Sequence, residues 1–170
     1  MGANLVLQAL RHVWLTLEAL GNPLALMGGL ALSLWKRVRI TPDVDLLIGI
    51  EQIQVPAILT ELQRAGIRTK HHPPLWDLGT VRIVHLLYEP PGAFIDLQID
   101  LLLAESDYHR EALSRRVSVR IPVLDIDVFV LSCEDLILHK LIAGRIIDRV
   151  DVVALLRANK KTLDMDYLGA

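Results

Sequence analysis

The chain has 170 residues, a formal net charge of -2 at pH 7 and one cysteine, Cys133. This length suits a single domain over residues 1–170, and the near-neutral charge gives no overall electrostatic case for nucleic-acid binding. One cysteine excludes an intramolecular disulfide framework and a thiolate metal cluster, which favours a cytoplasmic protein. The longest apolar stretch, Leu24 to Trp35, is too short to span a membrane, so no membrane association is expected.

The predicted elements alternate between helix and strand in the first half of the chain and become richer in strands later. In chain order they are a helix over 4–20, a strand over 24–27, a helix over 30–37, a strand over 44–48, a helix over 51–65, strands over 67–70, 81–88 and 94–102, a helix over 105–115, an extended segment over 117–130, and helices over 135–143 and 148–158. This order favours an α/β (α+β) domain with a mixed β-sheet and helices packed on it.

The boundaries follow from capping and turn residues. Gly21, Gly66 and Gly144 stop helices, and Ser132 is a good start for the 135–143 helix. The segment 72–79 contains two prolines and a glycine and is expected to be a loop.

The hydrophobic content is high for a small domain, at 52% of residues with a mean hydropathy of +0.40. Two explanations fit this number. Either most elements are buried on two faces, or an apolar surface is covered by a partner.

Two acidic residues, Asp43 and Asp45, lie two apart at the start of a strand. Residues at this spacing point to the same face, so the two carboxylates lie side by side and repel each other. A divalent cation relieves the repulsion, and carboxylate oxygens suit Mg²⁺, with Mn²⁺ as the alternative. A surface turn with a local cap is the competing interpretation of the same pair.

Gly28 and Gly29 form a turn between the first strand and the following helix. Such a turn leaves backbone N–H groups where a phosphate can approach closely, although an ordinary tight turn needs the same residues. Farther along the chain, Asp96 and Asp100 lie on one face of an alternating strand. Either a solvated polar face or a third carboxylate of the site fits that pattern.

The order of the Gly-Gly turn, a short helix, Arg39-Ile40-Thr41-Pro42-Asp43-Val44-Asp45 and an apolar strand resembles the nucleotidyltransferase superfamily of the DNA polymerase β type. It is most similar to the minimal AbiEii-like toxin nucleotidyltransferases, over about residues 25–157. The resemblance implies a nucleotidyltransferase palm, with metal on Asp43, Asp45 and a later carboxylate, for which Asp100 is preferred to Asp96. One departure is glycine at position 29, where many relatives have serine.

The resemblance continues in the segment Glu134-Asp135-Leu136-Ile137-Leu138-His139-Lys140-Leu141-Ile142-Ala143-Gly144-Arg145. It implies that Lys140 faces the triphosphate, while a lysine whose stem covers apolar surface is the plain alternative. Asp151 matches a family position that supports the site, and Asp148 is expected to cap the last helix or to pair with Arg145. Arg39 either reaches a phosphate or pairs with an acid, and Thr41 shapes the turn.

These residues together predict a catalytic set of Asp43, Asp45, Asp100 and Lys140. The predicted nucleotide-binding set is Gly28, Gly29, Arg39, Thr41, Lys140 and Asp151. The predicted reaction moves a nucleoside monophosphate from a nucleoside triphosphate to an acceptor hydroxyl, and the resemblance suggests tRNA or a protein as acceptor and a toxin with a cognate antitoxin.

Two alternatives stay open at this point. The first is a non-catalytic subunit with the same fold that binds a partner or a second copy, and the second is a metal-dependent phosphohydrolase or nuclease. The remaining histidines, His12, His85, His109 and His139, are scattered in the sequence and are expected to be surface or structural residues.

Overall fold

The alternating apolar segments assemble into one eight-stranded mixed sheet in the computed structural model, which describes residues 2–169. The strands are β1 Leu24–Met27, β2 Asp43–Ile48, β3 Arg68–Thr69, β4 Leu75–Asp77, β5 Arg82–Tyr88, β6 Leu97–Leu103, β7 Val117–Ile121 and β8 Ile126–Val130. Their order across the sheet is β3-β5-β6-β2-β1-β8-β7, and β4 pairs with β5. This arrangement confirms the predicted α/β (α+β) fold. Residues 1 and 170, the ends of the predicted domain, lie outside the described residues.

Seven α-helices accompany the sheet within residues 2–169, together with single turns of 3-10 helix at Gln52–Gln54 and Pro122–Leu124. The α-helices are α1 Gly2–Glu18, α2 Gly28–Leu34, α3 Val55–Arg64, α4 Asp107–Ser114, α5 Cys133–Ala143, α6 Ile146–Asn159 and α7 Met165–Gly169. None of these helices is long and apolar enough to cross a membrane.

The central strands are covered by helices. Helix α1 packs on β2 and β6 with α3 beside it, and α2 packs on β1 and β2. All four residues of β1 and the four apolar residues of β2 are buried. Burial of a strand on both faces removes the need for polar alternation. The high hydrophobic content therefore arises in part from a doubly covered sheet, as the first explanation predicted.

The capping signals are confirmed at α5. The Ser132 hydroxyl accepts a hydrogen bond from the Asp135 N–H, and Gly144 ends the helix in the left-handed conformation. Two expectations were wrong. The 72–79 segment contains strand β4, because Leu75–Asp77 pairs with the edge of β5 that faces away from β6. The 117–130 segment is a hairpin of two strands, and its turn contains Asp125 at φ 54°.

Candidate active site

The candidate site is built on one row of residues that crosses four neighbouring strands. Strand pairing places His85 opposite Asp100, and Asp100 opposite Asp45. Asp45 in turn lies opposite Met27, the last residue of β1. Cross-strand partners point to the same face of a sheet, so the row brings the acidic pair and the third carboxylate together. Gly28 follows Met27 directly and places the glycine turn at the end of the row.

The carboxylates of Asp43, Asp45 and Asp100 offer oxygen atoms that all lie within 4.8 Å of one another. Burial, followed by the charges of Asp43 and Asp100, raises the pKa of Asp45 from 3.8 to about 7. Lys140 and the backbone N–H of Gly29 oppose this rise in pKa. Carboxylates this close repel, and a divalent cation with a preference for oxygen ligands offsets the repulsion. The donor set therefore fits a divalent metal ion.

Asp100 is held in place from one side. His85 Nδ1 lies 2.8 Å from Asp100 Oδ1, and Gln98 Nε2 donates to the same oxygen at 2.9 Å. Lys70 Nζ donates to Gln98 Oε1 at 2.6 Å and fixes the amide. Both donors meet on Oδ1, so Oδ2 of Asp100 is available for a metal ion or a proton.

Asp96, the other carboxylate considered for this role, lies elsewhere. Its side chain forms a pair of hydrogen bonds with Arg68 at the exposed edge of the sheet. The structure therefore groups Asp100, and not Asp96, with the acidic pair.

The glycine turn is shaped by the acids beside it. Gly28 has φ +64°, and a Cβ atom at this position would collide with the Asp45 carboxylate. A Cβ atom on Gly29 would lie 2.6 Å from the Cβ of Thr41. The Thr41 hydroxyl donates to Asp43 Oδ1 and so occupies the space that a serine at position 29 would need. Glycine is therefore needed at position 29 because Thr41 fills the space beside it. Thr41 positions Asp43 and does not line the cleft.

A group of cations and two acids forms the wall opposite the carboxylates. Lys140 is 4% exposed, and its Nζ lies 2.8 Å from Asp148 Oδ1 and 3.2 Å from Asp151 Oδ2. Arg145 pairs with Asp148 at 2.7 Å, as expected from the sequence. Burial alone would raise the pKa of Asp148, but the hydrogen bonds from Arg145 and Lys140 outweigh it and lower the pKa to about 2. Lys140 is thus a buried, paired cation and not a lysine that extends to solvent.

Asp151 has no exposed side-chain surface. Arg37 Nε lies 3.3 Å from its Oδ1, and Arg39 Nη1 lies 3.2 Å from its Oδ2, the oxygen that also contacts Lys140. The carboxylate is enclosed by three cations and cannot itself touch a nucleotide in this arrangement. Its place in the predicted nucleotide-binding set is therefore that of a residue that positions Arg39 and Lys140.

The acids and the cations face each other across a cleft of about 630 Å³. Gly28, Gly29, Arg39 and Lys140 line it together with the carboxylates. The same cleft is lined by His109 and His139, and His85 bonds to Asp100 behind it. Strand register and helix packing thus bring these three histidines to the cleft from positions that are scattered in sequence. For His12 the expectation of a surface or structural residue is confirmed, since its ring stacks on Tyr88 and bonds to the Ala65 carbonyl.

Comparison with solved structures supports the fold. An antigenic nucleotidyltransferase-like protein from Paracoccidioides brasiliensis is 18% identical, with a TM-score of 0.59 over 92% of this chain and 78% of that one. The antibiotic-resistance factor ANT(2'')-Ia in solution is 16% identical, with a TM-score of 0.62 over 99% of this chain and 89% of that one. JHP933 from Helicobacter pylori is 18% identical, with a TM-score of 0.53 over 94% and 70% of the two chains. Similarity at this level of identity shows that the chain shares the fold of these proteins.

The family follows from the sequence. The chain belongs to the family described as nucleotidyltransferase of unknown function (DUF6036), whose model matches residues 7–170. A search of curated proteins found no significant match. The predicted superfamily is confirmed, while the more specific AbiEii-like assignment stays a prediction.

Proposed function

We propose that this nucleotidyltransferase uses Mg²⁺, or Mn²⁺, to move a nucleoside monophosphate from a nucleoside triphosphate to a hydroxyl of RNA or protein. The observation that carries the proposal is the convergence of the Asp43, Asp45 and Asp100 oxygens within 4.8 Å of one another, opposite a wall of cations. Metal ions bound there would supply charge stabilisation to the attacking and leaving oxygens of an in-line displacement.

The residues of the chain have distinct roles in this proposal. Asp43 and Asp45 would hold the metal, with Asp100 as third ligand or as base; the hydroxyl proton passes to Oδ2 of Asp100 or, where Asp100 is a ligand, to solvent water. The acceptor oxygen bonds to the α-phosphorus, the bond from that phosphorus to the bridging oxygen breaks, and pyrophosphate leaves. Lys140, Arg39 and Arg145 offset the negative charge of the triphosphate.

Gly28 and Gly29 keep the floor of the cleft free of side chains, so the phosphates can approach the backbone closely. Asp151 holds Arg39 and Lys140, and Thr41 holds Asp43. In this proposal Gly28, Gly29, Arg39 and Lys140 touch the nucleotide, while Asp151 and Thr41 orient residues of the site.

The charge of the cleft favours an acceptor without many ammonium groups. One relative in fold, ANT(2'')-Ia, has been crystallised with adenylyl-2''-tobramycin, and aminoglycosides are polycations. A polycation needs free carboxylates, but outside the three acids the carboxylate that lines this cleft is Asp148, which is paired with Lys140 and Arg145. An RNA or protein hydroxyl suits this lining better.

A partner protein is part of the proposal. Helix α6 exposes apolar side chains at successive turns, among them Ile146, which is 86% exposed, Val150 and Val153. A face of this kind marks an interaction surface, and the resemblance to toxin nucleotidyltransferases suggests a cognate antitoxin, with a second copy of the chain as the alternative. Light scattering of the purified protein separates the two, since a dimer indicates the second copy.

The reaction is tested by incubating the protein with α-phosphate-labelled triphosphates, Mg²⁺, and either total RNA or total protein. We expect the label to enter one fraction with wild type and neither with Asp43→Asn/Asp45→Asn. Hydrolysis of the triphosphate without transfer would instead indicate a phosphohydrolase. Triphosphate left intact with both acceptors present would contradict the proposed reaction.

A further inference from the structure

The cleft has an uncharged end beside the cations. Three rings that line the cleft cluster there, Tyr108, His109 and His139, with 5.3 Å between the ring centroids of Tyr108 and His109, and Leu78 and Leu102 also line the cleft. The Tyr108 hydroxyl donates to the Asp135 carbonyl at 2.7 Å, so its ring faces the cleft as a non-polar surface. This end differs in chemistry from the wall that contains Lys140.

His109 is the unusual residue of this group. Its side chain is buried, with 7% of the residue exposed, and its ring nitrogens have no hydrogen-bond partner within residues 2–169. Those nitrogens are not among the fully buried unpaired polar atoms of the described residues, so they keep contact with solvent in the cleft. A ring that lines a cleft and lacks a partner is therefore placed to bond to a ligand.

His139 lies next to Lys140 on α5 and completes the group. Its ring centroid is 6.0 Å from that of His109, with an interplanar angle of 46°. Burial, followed by the nearby His109 and Lys140, lowers the pKa of His139 to about 4, and burial lowers the pKa of His109. A neutral imidazole offers one donor and one acceptor, and its face stacks on flat rings.

We propose that His109 and His139 form a subsite for a nucleobase, which is flat, uncharged and edged with hydrogen-bond donors and acceptors. This inference rests on the proposed function, because it assigns the part of the ligand that lies beyond the phosphates. The base belongs either to the nucleoside triphosphate or to the end of an RNA acceptor. The chemistry of recognition is the same in both cases.

The subsite is tested by calorimetric titration of wild type and of the His109→Leu and His139→Leu variants in Mg²⁺. Leucine fills the volume without hydrogen bonds, His109→Asn and His139→Asn keep a donor and an acceptor, and the exposed His72→Leu is the matched control. The ligands are the four ribonucleoside triphosphates, inorganic tripolyphosphate, and four short single-stranded RNAs that differ in their 3′-terminal base. Thermal denaturation checks that each variant is folded.

We expect wild type to distinguish the members of one series by about tenfold or more, the effect of one or two hydrogen bonds. The leucine variants lose that preference, the asparagine variants keep part of it, and His72→Leu keeps it all, while tripolyphosphate binding is unchanged throughout. A preference among the triphosphates identifies the base of the nucleotide, and a preference among the RNAs identifies that of the acceptor.

Unchanged preferences in folded leucine variants would overturn the subsite, as would the absence of any preference in wild type. Binding of tripolyphosphate by wild type separates this failure from that of the proposed function. If tripolyphosphate and the triphosphates all fail to bind, the phosphate site itself is refuted and the subsite falls with it, unless the RNA series retains a preference that depends on the histidines.

Discussion

Asp45 is the residue at which the electrostatic cost of the site is concentrated. Its pKa is raised to about 7 by burial and by two neighbouring carboxylates, so the folded protein holds a proton that the unfolded chain releases near pH 4. The stability that this proton contributes is complete below the unfolded pKa of 3.8 and is lost as the pH rises through 7. The cluster of carboxylates therefore lowers the free energy of unfolding at neutral and alkaline pH.

Replacement of Asp45 by asparagine removes this pH dependence. We expect Asp45→Asn to be more stable than wild type at pH 8, by an amount on the order of 1 kcal/mol or more, and nearly equal to it at pH 4. Urea denaturation at the two pH values measures the difference. Mg²⁺ added at pH 8 should stabilise wild type and not the variant, and an Asp45→Asn protein less stable than wild type at pH 8 would refute this account.

Glycine is required at position 28 for two reasons: its φ angle is positive, and a Cβ atom would collide with the Asp45 carboxylate. Gly28→Ala and Gly92→Ala both place a side chain at positive φ, +64° and +75°, but the new Cβ at position 92 meets nothing within 4 Å. Each change costs about 1–2 kcal/mol of backbone strain, and Gly28→Ala additionally displaces the Asp45 carboxylate. We expect Gly28→Ala alone to lose Mg²⁺-dependent triphosphate binding in calorimetry; retained binding would show that the carboxylate is not needed where the structure places it.

At the scale of elements, the pairing of β5 with β6 decides which acid joins the site. Asp100 lies in register with His85 and Asp45, whereas Asp96 precedes β6 and pairs with exposed Arg68. We expect Asp100→Asn to lower the rate of transfer by at least about 100-fold and Asp96→Asn to leave it nearly unchanged. Steady-state rates of pyrophosphate release measure both. Equal losses in the two variants would mean that the register does not define the site.

The packing of α6 against α5 and the 36–42 loop depends on Asp151. Its carboxylate is shared by Lys140, Arg37 and Arg39, so Asp151→Ala leaves the buried Lys140 with Asp148 alone and two partly exposed arginines unpaired, and should cost about 1–3 kcal/mol of stability. Asp127, which pairs with Arg120 at the surface, is the matched control and should change little on replacement by alanine. Denaturation of the two variants at pH 7 decides between this network and a dispensable surface contact.

Local sequence patterns predict much of the fold. Apolar runs mark β2 and β5, apolar alternation marks β6, and Ser132 with Gly144 brackets α5, because these signals act within a few residues. Strand β4 is missed because Pro73 and Pro74 precede it and prolines are typical of loops. An edge strand tolerates prolines beside it, whereas a central strand does not.

The candidate site likewise has a part that local sequence patterns predict and a part that they do not. The spacing of Asp43 and Asp45 predicts that their carboxylates lie side by side, because residues two apart in a strand share a face. His85 reaches Asp100 through strand register, and Arg37 reaches Asp151 across 114 positions of the chain. Contacts of this range depend on tertiary packing, which a single sequence does not encode in its periodicity.

For the whole molecule, the doubly covered sheet explains part of the high hydrophobic content, and a partner that covers the exposed apolar side chains stays a proposal. The sheet is buried between helices, and α6 together with the end of α5 still exposes Leu141, Ile142 and Ile146 to solvent. The acidic row and the cation wall meet in a cleft at the edge of this core. A molecule of this construction is expected to bind a metal–triphosphate complex.

Mg²⁺-dependent binding of the four ribonucleoside triphosphates, measured by calorimetry on wild type and on Asp43→Asn/Asp45→Asn, tests this central claim most directly. Asp96→Asn, the same acid-to-amide change outside the site, serves as the control. The account predicts binding by wild type and the control that requires Mg²⁺ and disappears in the double variant. No binding by folded wild-type protein, or binding that survives in the double variant, would contradict it.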